Sequence, residues 1–397
     1  MTTSTEADRF ALPGHLLLFA CLYGGYGALS PFLPAFLQAR GLSAEEISVF
    51  LAAAMVVRLA AGPLAGRWAD RRRAARPLLA VFLAAASGSV LAMLAGYWAG
   101  PLLLIGLLHA VATAPLAPLA DALALSAAAG GRRVRYGLVR AAGSAAFIAA
   151  TVATGRAVEA VGLSSGLWAC ALLFAAGALA TLALAPARPD PARRCHRERP
   201  EGIFALLALP RFRRMMLSAA LVIGAHAMHD AFAVIVWTGA GVSPATAALL
   251  WSEAVAAEVL VFLALGPWLL ARLGPGRALA LAAAAGALRW GAQAQTVSPP
   301  ALAAIQLLHG LTFALLHLAC LALIEATVPP RARATAITLY GTLALGLASA
   351  LATAAAGNLY ARFGMGAFWA MSAVSLAAVP LALSLPVAED EVHPYMN

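Results

Sequence analysis

Charged side chains interrupt the long apolar runs of this chain. They lie among Ala, Leu, Val and Gly, and they are Arg58, Asp121, Arg140, Asp230, Glu253, Glu258 and Arg289. One such charge at the centre of a bilayer costs at least about 2.5–3.5 kcal/mol to insert. Several together persist only where they face a wet cavity or one another, and such residues bind charged solutes or carry protons. The pattern therefore predicts a pathway for a solute through a membrane.

Asp121 and Arg140 are expected to form an ion pair. Asp121 lies nine residues before Gly130, and Arg140 lies nine residues after Gly131. At a rise of about 1.5 Å per residue, both side chains reach a similar depth in adjacent antiparallel helices. The pair could be a structural clamp or could contact a substrate, and we predict the second role.

Glu258, Arg289 and His309 are also expected at one depth. Arg289 and His309 flank the Pro299-Pro300 turn at ten and nine residues, and Glu258 and Arg289 flank Gly274 at 16 and 15 residues. An acid, a fixed cation and an imidazole together can pass a proton, because histidine titrates near neutrality. We predict proton coupling here, with a purely structural ion pair as the alternative.

His226, His229 and Asp230 form a polar cluster within one apolar run. Asp230 lies eleven residues before Gly241, and Glu253 lies twelve residues after it. Histidine and aspartate can bind metal ions, but no Cys or further His lies nearby at ligand spacing. We therefore expect a hydrogen-bonded network or a cavity wall, with no metal and no cofactor.

Arg58 lies midway along its apolar run, where counting from the turns assigns it no partner. An arginine at this depth predicts a site for an anionic ligand, unless a residue of another helix pairs with it. Tyr26, Trp290 and His317 are expected to line the same substrate site. Helix packing is the alternative for the two aromatic residues, and a hydrogen-bonded core position is the alternative for His317.

The elements that carry these residues are membrane-spanning helices. The chain has 397 residues, of which 62% are hydrophobic and 11% are charged, whereas soluble domains carry about 25% charged residues. A spanning helix needs about 20 apolar residues. Suitable runs occur at 12–38, 44–66, 77–98, 101–127, 136–159, 164–185, 213–238, 244–271, 277–296, 300–326, 334–360 and 364–386. The first run has no obvious cleavage site, so we interpret it as a retained helix.

The basic loop residues fall almost entirely on one side of these helices. All 27 basic residues are Arg, and the formal net charge is +10. Only Arg40, Arg156 and Arg362 occupy loops on the other side. By the positive-inside rule, both termini and the central loop are cytoplasmic, in a bacterial inner membrane. The excess charge thus indicates topology and contact with membrane lipid, and no nucleic-acid partner is expected.

The two halves of the chain resemble each other. Leu107-Leu108-His109 recurs as Leu307-Leu308-His309, Tyr136-Gly137 as Tyr340-Gly341, and Gly62-Pro63 as Gly266-Pro267. An internal duplication predicts an N-terminal six-helix bundle at 1–186, a cytoplasmic loop at 187–212 and a C-terminal six-helix bundle at 213–397. The predicted fold class is an all-α membrane protein with 12 transmembrane helices in two pseudo-symmetric bundles.

A charged motif follows the second helix. The segment 62–73 resembles the signature loop of major facilitator transporters, with Gly66, then Asp70, then a run of arginines that begins at Arg71. Gly66 would allow close helix approach. Asp70 could form charge-assisted hydrogen bonds with an arginine or a helix N-terminus. We predict a conformational latch formed by Gly66, Asp70 and Arg71, with a simple topogenic cluster as the alternative.

Several longer segments carry a more specific resemblance. They are Tyr26-Gly27, Pro31-Phe32-Leu33-Pro34, Pro118-Leu119-Ala120-Asp121, Tyr136-Gly137-Leu138-Val139-Arg140, Leu250-Trp251-Ser252, Ala257-Glu258-Val259 and Arg289-Trp290-Gly291. They span most of the chain and keep their order. The chain is similar to the phenylpropionate-permease branch of the major facilitator superfamily, which is distantly similar to lactose permease.

The resemblance implies roles for single residues. In lactose permease, an acid on helix 4 and an arginine on helix 5 bind the sugar, and Asp121 and Arg140 match those positions. An acid, an arginine and a histidine on helices 8, 9 and 10 match Glu258, Arg289 and His309. The position of that permease's proton-carrying Glu, three residues after the histidine, is a threonine here. The proton is therefore expected on Glu258.

Together these features predict a secondary active transporter that moves a small organic solute by proton symport. The branch implies an aromatic carboxylate as the solute, with Arg58, Arg140 or Arg289 as the residue that binds the anion. A sugar or nucleoside symporter and a drug-efflux pump of the same fold remain alternatives. An enzyme is not expected, because the sequence has neither an Asp-rich repeat nor a G-x-S-x-G elbow, and it has no nucleotide-binding motif. The expected partners are the solute, protons and lipid, and the protein is expected to be a monomer.

Overall fold

The chain is built almost entirely of helices. The computed structural model describes residues 3–72, 74–129, 134–184 and 203–385. The helices of the first half are α1 (Thr3–Leu29), α2 (Leu33–Ala39), α3 (Ala44–Arg72), α4 (Ala75–Leu94), α5 (Ala99–Thr113), α6 (Leu116–Ala129), α7 (Tyr136–Val161) and α8 (Ser164–Ala183).

The second half adds ten α-helices. They are α9 (Ile203–Ala208), α10 (Pro210–Gly224), α11 (Ala227–Gly239), α12 (Pro244–Leu260), α13 (Gly266–Gln293), α14 (Pro299–Gln306), α15 (Leu316–Thr327), α16 (Arg333–Leu339), α17 (Ala348–Phe363) and α18 (Phe368–Leu383). Wider π-helical turns occupy Val261–Leu265, Gly310–Leu315 and Tyr340–Leu347, and short 3₁₀ turns occupy Pro330–Ala332 and Gly364–Ala367.

Among the described residues, 10 helical runs are long and apolar enough to cross a membrane. Two of these runs are longer than a single membrane crossing requires, since Pro244–Gln293 has 50 residues and Pro330–Leu383 has 54. Each is interrupted by a glycine with positive φ, Gly274 at 71° and Gly364 at 53°, where a residue with a Cβ would be strained. Counting each long run as two crossings agrees with the expected twelve. The all-α membrane fold class is confirmed.

Proline and glycine mark the helix boundaries. α10 and α14 begin with Pro210 and Pro299, whose fixed φ suits the first turn of a helix. Gly41 and Gly241 have φ of 87° and 90° in the turns that precede α3 and α12. Matching turn chemistry at these two glycines reflects the internal repeat.

The chain divides into two compact units. One comprises the described residues of Met1–Cys195 with Ser243–Ser252, and the other those of His196–Val242 with Glu253–Asn397. In the first unit, α1 packs on α7 and α8, and α4 packs on α8. In the second, α13 packs on α15 and α18, and α10 packs on α18. Each unit therefore has its own helical core.

The predicted domain limits remain a prediction. Most of the predicted central loop at 187–212 lies outside the described residues. Its described end is helical, because α9 begins at Ile203 and α10 begins at Pro210. The predicted turn at Gly130 and Gly131 also lies outside the described residues.

Close packing of α1 on α7 depends on Gly27. A Cβ at this position would overlap the Phe147 carbonyl and lie 3.0 Å from the Phe147 Cα. The Thr151 hydroxyl of α7 donates a hydrogen bond of 2.9 Å to the Gly27 carbonyl. Small residues let helix backbones approach in this way within membranes.

Gly27→Ala should destabilise the protein by about 1–3 kcal/mol, because α1 and α7 must separate to admit the methyl group. Gly24→Ala in the same helix is the matched control, since its Cβ would meet its nearest neighbour at an ordinary 3.4 Å. Thermal unfolding of the purified proteins in detergent measures the difference. Equal unfolding midpoints for the two variants would contradict this packing argument.

Candidate functional site

The expected pair of Asp121 and Arg140 is present in the first unit. Asp121 Oδ1 on α6 lies 3.6 Å from Arg140 Nη1 on α7, and their side chains are 27% and 45% exposed. The Arg140 guanidinium also donates to the Tyr23 hydroxyl on α1 and lies 5.1 Å from the centroid of that ring. Tyr136 lies beside the same carboxylate. The pair thus leaves a partly exposed cation against an aromatic ring.

Arg58 lies in a second cluster of the first unit. It is exposed, and its Nη2 donates to the Thr113 hydroxyl at 3.5 Å. The Tyr26 hydroxyl donates to the Thr113 main-chain carbonyl at 3.1 Å. His109 Nδ1 and the Ser89 hydroxyl share a hydrogen bond of 2.9 Å. Within the described ranges, no carboxylate lies within 4 Å of the Arg58 guanidinium, so its charge is available to a ligand.

Aromatic rings adjoin the Arg58 cluster. Tyr26 lies edge-on to Phe174 with centroids 5.6 Å apart, and edge-on to Tyr23 at 6.0 Å. Gly25 makes room for this contact, because a Cβ there would overlap the Phe174 ring. Phe174 is fully buried and stacks on His109, so Tyr26, which is partly exposed, is the ring that a further aromatic group could contact.

Arg289 is the centre of a network in the second unit. It is fully buried, and it donates to His309 Nδ1 at 2.9 Å and to Gln306 Oε1 at 2.7 Å. His309 Nε2 lies 3.5 Å from Glu258 Oε2. The expected group of Glu258, Arg289 and His309 is therefore brought together, with the histidine between the other two.

Two further chains of hydrogen bonds, called arms here, start at the Arg289 guanidinium. One runs through Thr312 Oγ1, which lies 3.4 Å from the guanidinium and 3.0 Å from His226 Nε2. The other runs through Gln306 Nε2, which lies 3.1 Å from His229 Nε2, and His229 Nδ1 lies 3.2 Å from Asp230 Oδ1. The network expected around His226, His229 and Asp230 is confirmed. Within the described part of the chain, no group of three His, Cys, Asp or Glu residues could hold a metal ion.

Gln306 and Thr312 join this network to Arg289, a role that the sequence analysis did not assign. Both side chains are fully buried. Their polarity inside an apolar helix is the sequence signal that could have identified them, because buried polar groups are nearly always hydrogen-bonded.

Gln306→Leu should destabilise the protein by about 1.5–3 kcal/mol, the usual range for a hydrogen bond to a charged group. The change removes the acceptor at 2.7 Å from the buried guanidinium. Gln295→Leu is the control, because Gln295 is exposed and donates to a main-chain carbonyl instead of pairing with a buried charge. Chemical unfolding of both variants in detergent measures the effect, and losses of equal size would show that Gln306 does not support Arg289.

Two predicted substrate contacts lie differently from expectation. Trp290 is fully buried, with Arg289 Cζ 4.3 Å from its ring centroid, and it stacks on Phe368 at 6.2 Å. It therefore packs against Arg289, which corrects the expectation that it lines an open site. His317 Nδ1 and the Tyr340 hydroxyl share a hydrogen bond of 3.1 Å, which agrees with the core alternative for His317.

The residues of the predicted latch lie at the end of α3. Asp70 and Arg71 are exposed, and a Cβ on Gly66 would meet no atom within 4 Å. The close helix contact expected at Gly66 is thus not made in this structure. Asp70 has no ionic partner within 4 Å among the described residues. The latch role stays a prediction.

The internal repeat relates the two clusters. In each unit, a histidine Nδ1 bonds a residue 20 positions earlier: His109 bonds Ser89, and His309 bonds Arg289. Arg58 and Glu258 are also equivalent, because each lies the same number of residues after its turn glycine, Gly41 or Gly241. One copy therefore has a cation where the other has a carboxylate.

A comparison with known protein families identifies the family of this chain. The model of the MFS_1 like family matches residues 12–371. The chain belongs to this family. It is 34% identical over 381 residues to the probable 3-phenylpropionic acid transporter of Escherichia coli (strain K12), covering 94% of this chain and 97% of that protein. It is 29% identical over 376 residues to the maltose permease of Geobacillus stearothermophilus, covering 93% of each.

Solved structures of transporters share the fold. A variant of the nucleoside transporter NupG superposes with a TM-score of 0.80 at 17% identity, over 94% of this chain and 97% of that one. A bacterial homologue of the human lysosomal transporter Spinster gives a TM-score of 0.64 at 16% identity, over 96% and 94% of the two chains. At this identity the likeness concerns the fold. The family member described here is thus a multi-pass membrane transporter of the major facilitator type.

Proposed function

We propose that this protein is a proton symporter that carries a small aromatic carboxylate across a bacterial inner membrane. The observation that carries the proposal is Arg58, an exposed cation whose described partner is a hydroxyl at 3.5 Å. A carboxylate binds a guanidinium through two charge-assisted hydrogen bonds, which a hydroxyl cannot replace. Tyr26, which is partly exposed, offers a ring for an aromatic group beside Arg58. The 34% identical relative is named as a phenylpropionic acid transporter.

The second unit supplies the proton site of this proposal. Arg289 can only donate hydrogen bonds, so His309 Nδ1 accepts, and the ring proton lies on Nε2, towards Glu258. A second proton on His309 would point at the guanidinium. In this conformation the proton therefore binds to Glu258, and His309 orients that carboxyl.

Charge balance gives the reason for coupling. Moving one negative charge inward against a potential of 100 mV costs about 2.3 kcal/mol. A proton that travels with the carboxylate cancels this cost and supplies the energy of the pH gradient. Arg58 would bind the carboxylate and Glu258 would bind the proton, and the two residues are at equivalent positions of the repeat.

The remaining assignments follow the same proposal. The Asp121–Arg140 pair, with Tyr23 against it, contacts the substrate. The latch residues Asp70 and Arg71 lie on the cytoplasmic side, together with both termini, because the arginine-rich loops face the cytoplasm. The protein works as a monomer in contact with anionic lipid and converts no substrate chemically.

Binding measurements on the purified protein in detergent test the substrate class. Titration calorimetry with 3-phenylpropionate should show binding, whereas maltose and uridine should show none. The amide of the same acid is the matched control, because it keeps the ring and loses the charge, and its binding should be weaker by about tenfold or more. Equal binding of acid and amide, or binding of maltose or uridine instead, would overturn the proposal.

A further inference from the structure

Asp230 has an unusual position on a buried helix. From Val222 to Ile235, every residue except Asp230 is buried, while the Asp230 side chain is 50% exposed. A carboxylate facing lipid would be costly, and its buried neighbours show that the exposed spot is narrow. The helix thus presents one acid to water-accessible space.

The direction of each hydrogen bond links this acid to Arg289. The guanidinium donates to Gln306 Oε1, so the Gln306 amide donates to His229 Nε2. With that nitrogen accepting, the ring proton of His229 is on Nδ1 and is donated to Asp230. The arm is therefore a directed chain from a cation to a carboxylate.

The arm to Glu258 has the same direction, because His309 accepts on Nδ1 and presents Nε2–H to Glu258. His226 lies on the remaining arm, where its Nε2 is 3.0 Å from Thr312 Oγ1, and that hydroxyl donates to the His309 carbonyl at 3.2 Å. His229 and His309 already have a donor at the basic nitrogen, and a second ring proton on either would break its arm. Along these two arms, the groups that can take a proton without breaking the network are the two carboxylates.

Charge counting then fixes how many protons the network holds. One guanidinium with two carboxylates has a net charge of −1, and one added proton makes it neutral. The fully buried guanidinium needs one ionised carboxylate to balance its charge, and a second ionised carboxylate has no cation of its own in the network. Two acids that compete for one cation behave as a coupled pair with shared titration steps.

We propose that Asp230 is a second proton-binding site of the second unit, and that Asp230 and Glu258 share one proton through the hydrogen-bonded arms of Arg289. The side chain of Asp230 is 50% exposed and that of Glu258 is 25% exposed, while the guanidinium between them is fully buried. Each acid can thus exchange the proton directly at its own exposed side, and Arg289 couples the two sites. The role in transport rests on the proposed symport, but the shared proton does not.

Few other ionisable groups lie near the two acids. Helix α17 packs on α11, the helix of Asp230, and it carries two of them. These are Tyr360, which stacks on Phe232 at 4.4 Å, and the exposed Arg362. Near Glu258 are His317 and, on the same helix, Glu253. α18, which also packs on α11, has no ionisable residue.

Infrared difference spectroscopy of the full-length protein in lipid, recorded between mildly acidic and mildly alkaline pH, tests this proposal without any substrate. The wild type should show a protonated carboxyl band that disappears at the alkaline end. Asp230→Asn should remove this step, because Arg289 and Glu258 alone are already neutral. Glu253→Gln, a carboxylate change on the helix of Glu258, should leave the band at full amplitude.

An Asp230→Asn protein that keeps the band at wild-type amplitude would overturn the proposal. Asp230→Ser provides the same test if the Asn variant does not fold, and circular dichroism checks the helical content of each protein. A band lost in Asp230→Asn or Asp230→Ser and lost also in Glu258→Gln, with the Glu253→Gln band retained, supports a shared proton, whereas a band that Glu258→Gln keeps would overturn the sharing. If the spectra support sharing but 3-phenylpropionate does not bind, only the proposed function fails.

Discussion

Glu258→Gln should abolish accumulation of 3-phenylpropionate driven by a pH gradient, while exchange of internal for external substrate continues. The amide still accepts the Nε2–H of His309 but cannot take up or release a proton. One proton moving down a gradient of one pH unit supplies about 1.36 kcal/mol, enough for about tenfold accumulation. The variant should reach equal concentrations on both sides. Uptake of labelled 3-phenylpropionate into proteoliposomes measures both reactions.

Glu253→Gln is the control for this prediction. Glu253 lies on the same helix as Glu258, and no ion pair joins it to the Arg289 network among the described residues. The Glu253→Gln protein should accumulate 3-phenylpropionate to the wild-type level. Accumulation in Glu258→Gln at the level of this control would remove Glu258 from the proton pathway.

Arg58→Gln should weaken the binding of 3-phenylpropionate by about 10- to 100-fold, since hydrogen bonds to a charged group contribute about 1.5–3 kcal/mol. Arg58→Lys should lose less, because it keeps the charge but not the paired geometry of the guanidinium. Titration calorimetry in detergent measures the dissociation constant of 3-phenylpropionate for each variant. Arg156→Gln, an exposed arginine of the same unit, should bind as the wild type does.

An unchanged affinity in Arg58→Gln would place the anion elsewhere. Arg140 is then the next candidate, because its side chain is 45% exposed and its guanidinium lies against Tyr23. Loss of binding in Arg140→Gln alone would transfer the anchoring role to the Asp121–Arg140 pair.

Counting residues from turns predicted the depth of the charged groups correctly. Asp121 meets Arg140, and His309 meets both Glu258 and Arg289. Depth is predictable because each helix advances by a constant rise of about 1.5 Å per residue. Residues at equal distances from one turn therefore lie at the same height in the hairpin.

The rotational position of side chains was much less predictable. The π-helical turns Val261–Leu265 and Gly310–Leu315 add residues to a helix, and each added residue turns the following side chains by about 100°. His317 follows such a turn and contacts Tyr340 rather than the Arg289 network. No local sequence signal identified these wide turns.

The surroundings of Arg58 could not be derived by counting either. Its partner is the hydroxyl of Thr113 on α5, an element that does not follow α3 directly. Hairpin counting relates consecutive helices only, and a threonine in an apolar run gives a weak signal. The contact depends on how α3, α4 and α5 pack together, which requires the tertiary structure.

Proton movement that accompanies the substrate is the most direct test of the central claim. Proteoliposomes in weakly buffered medium should make the medium more alkaline when 3-phenylpropionate is added, at about one proton per substrate, because neutralising the Arg289 network requires one proton. Glu258→Gln vesicles should give no such change. Entry of 3-phenylpropionate into wild-type vesicles without any change of pH would contradict the account.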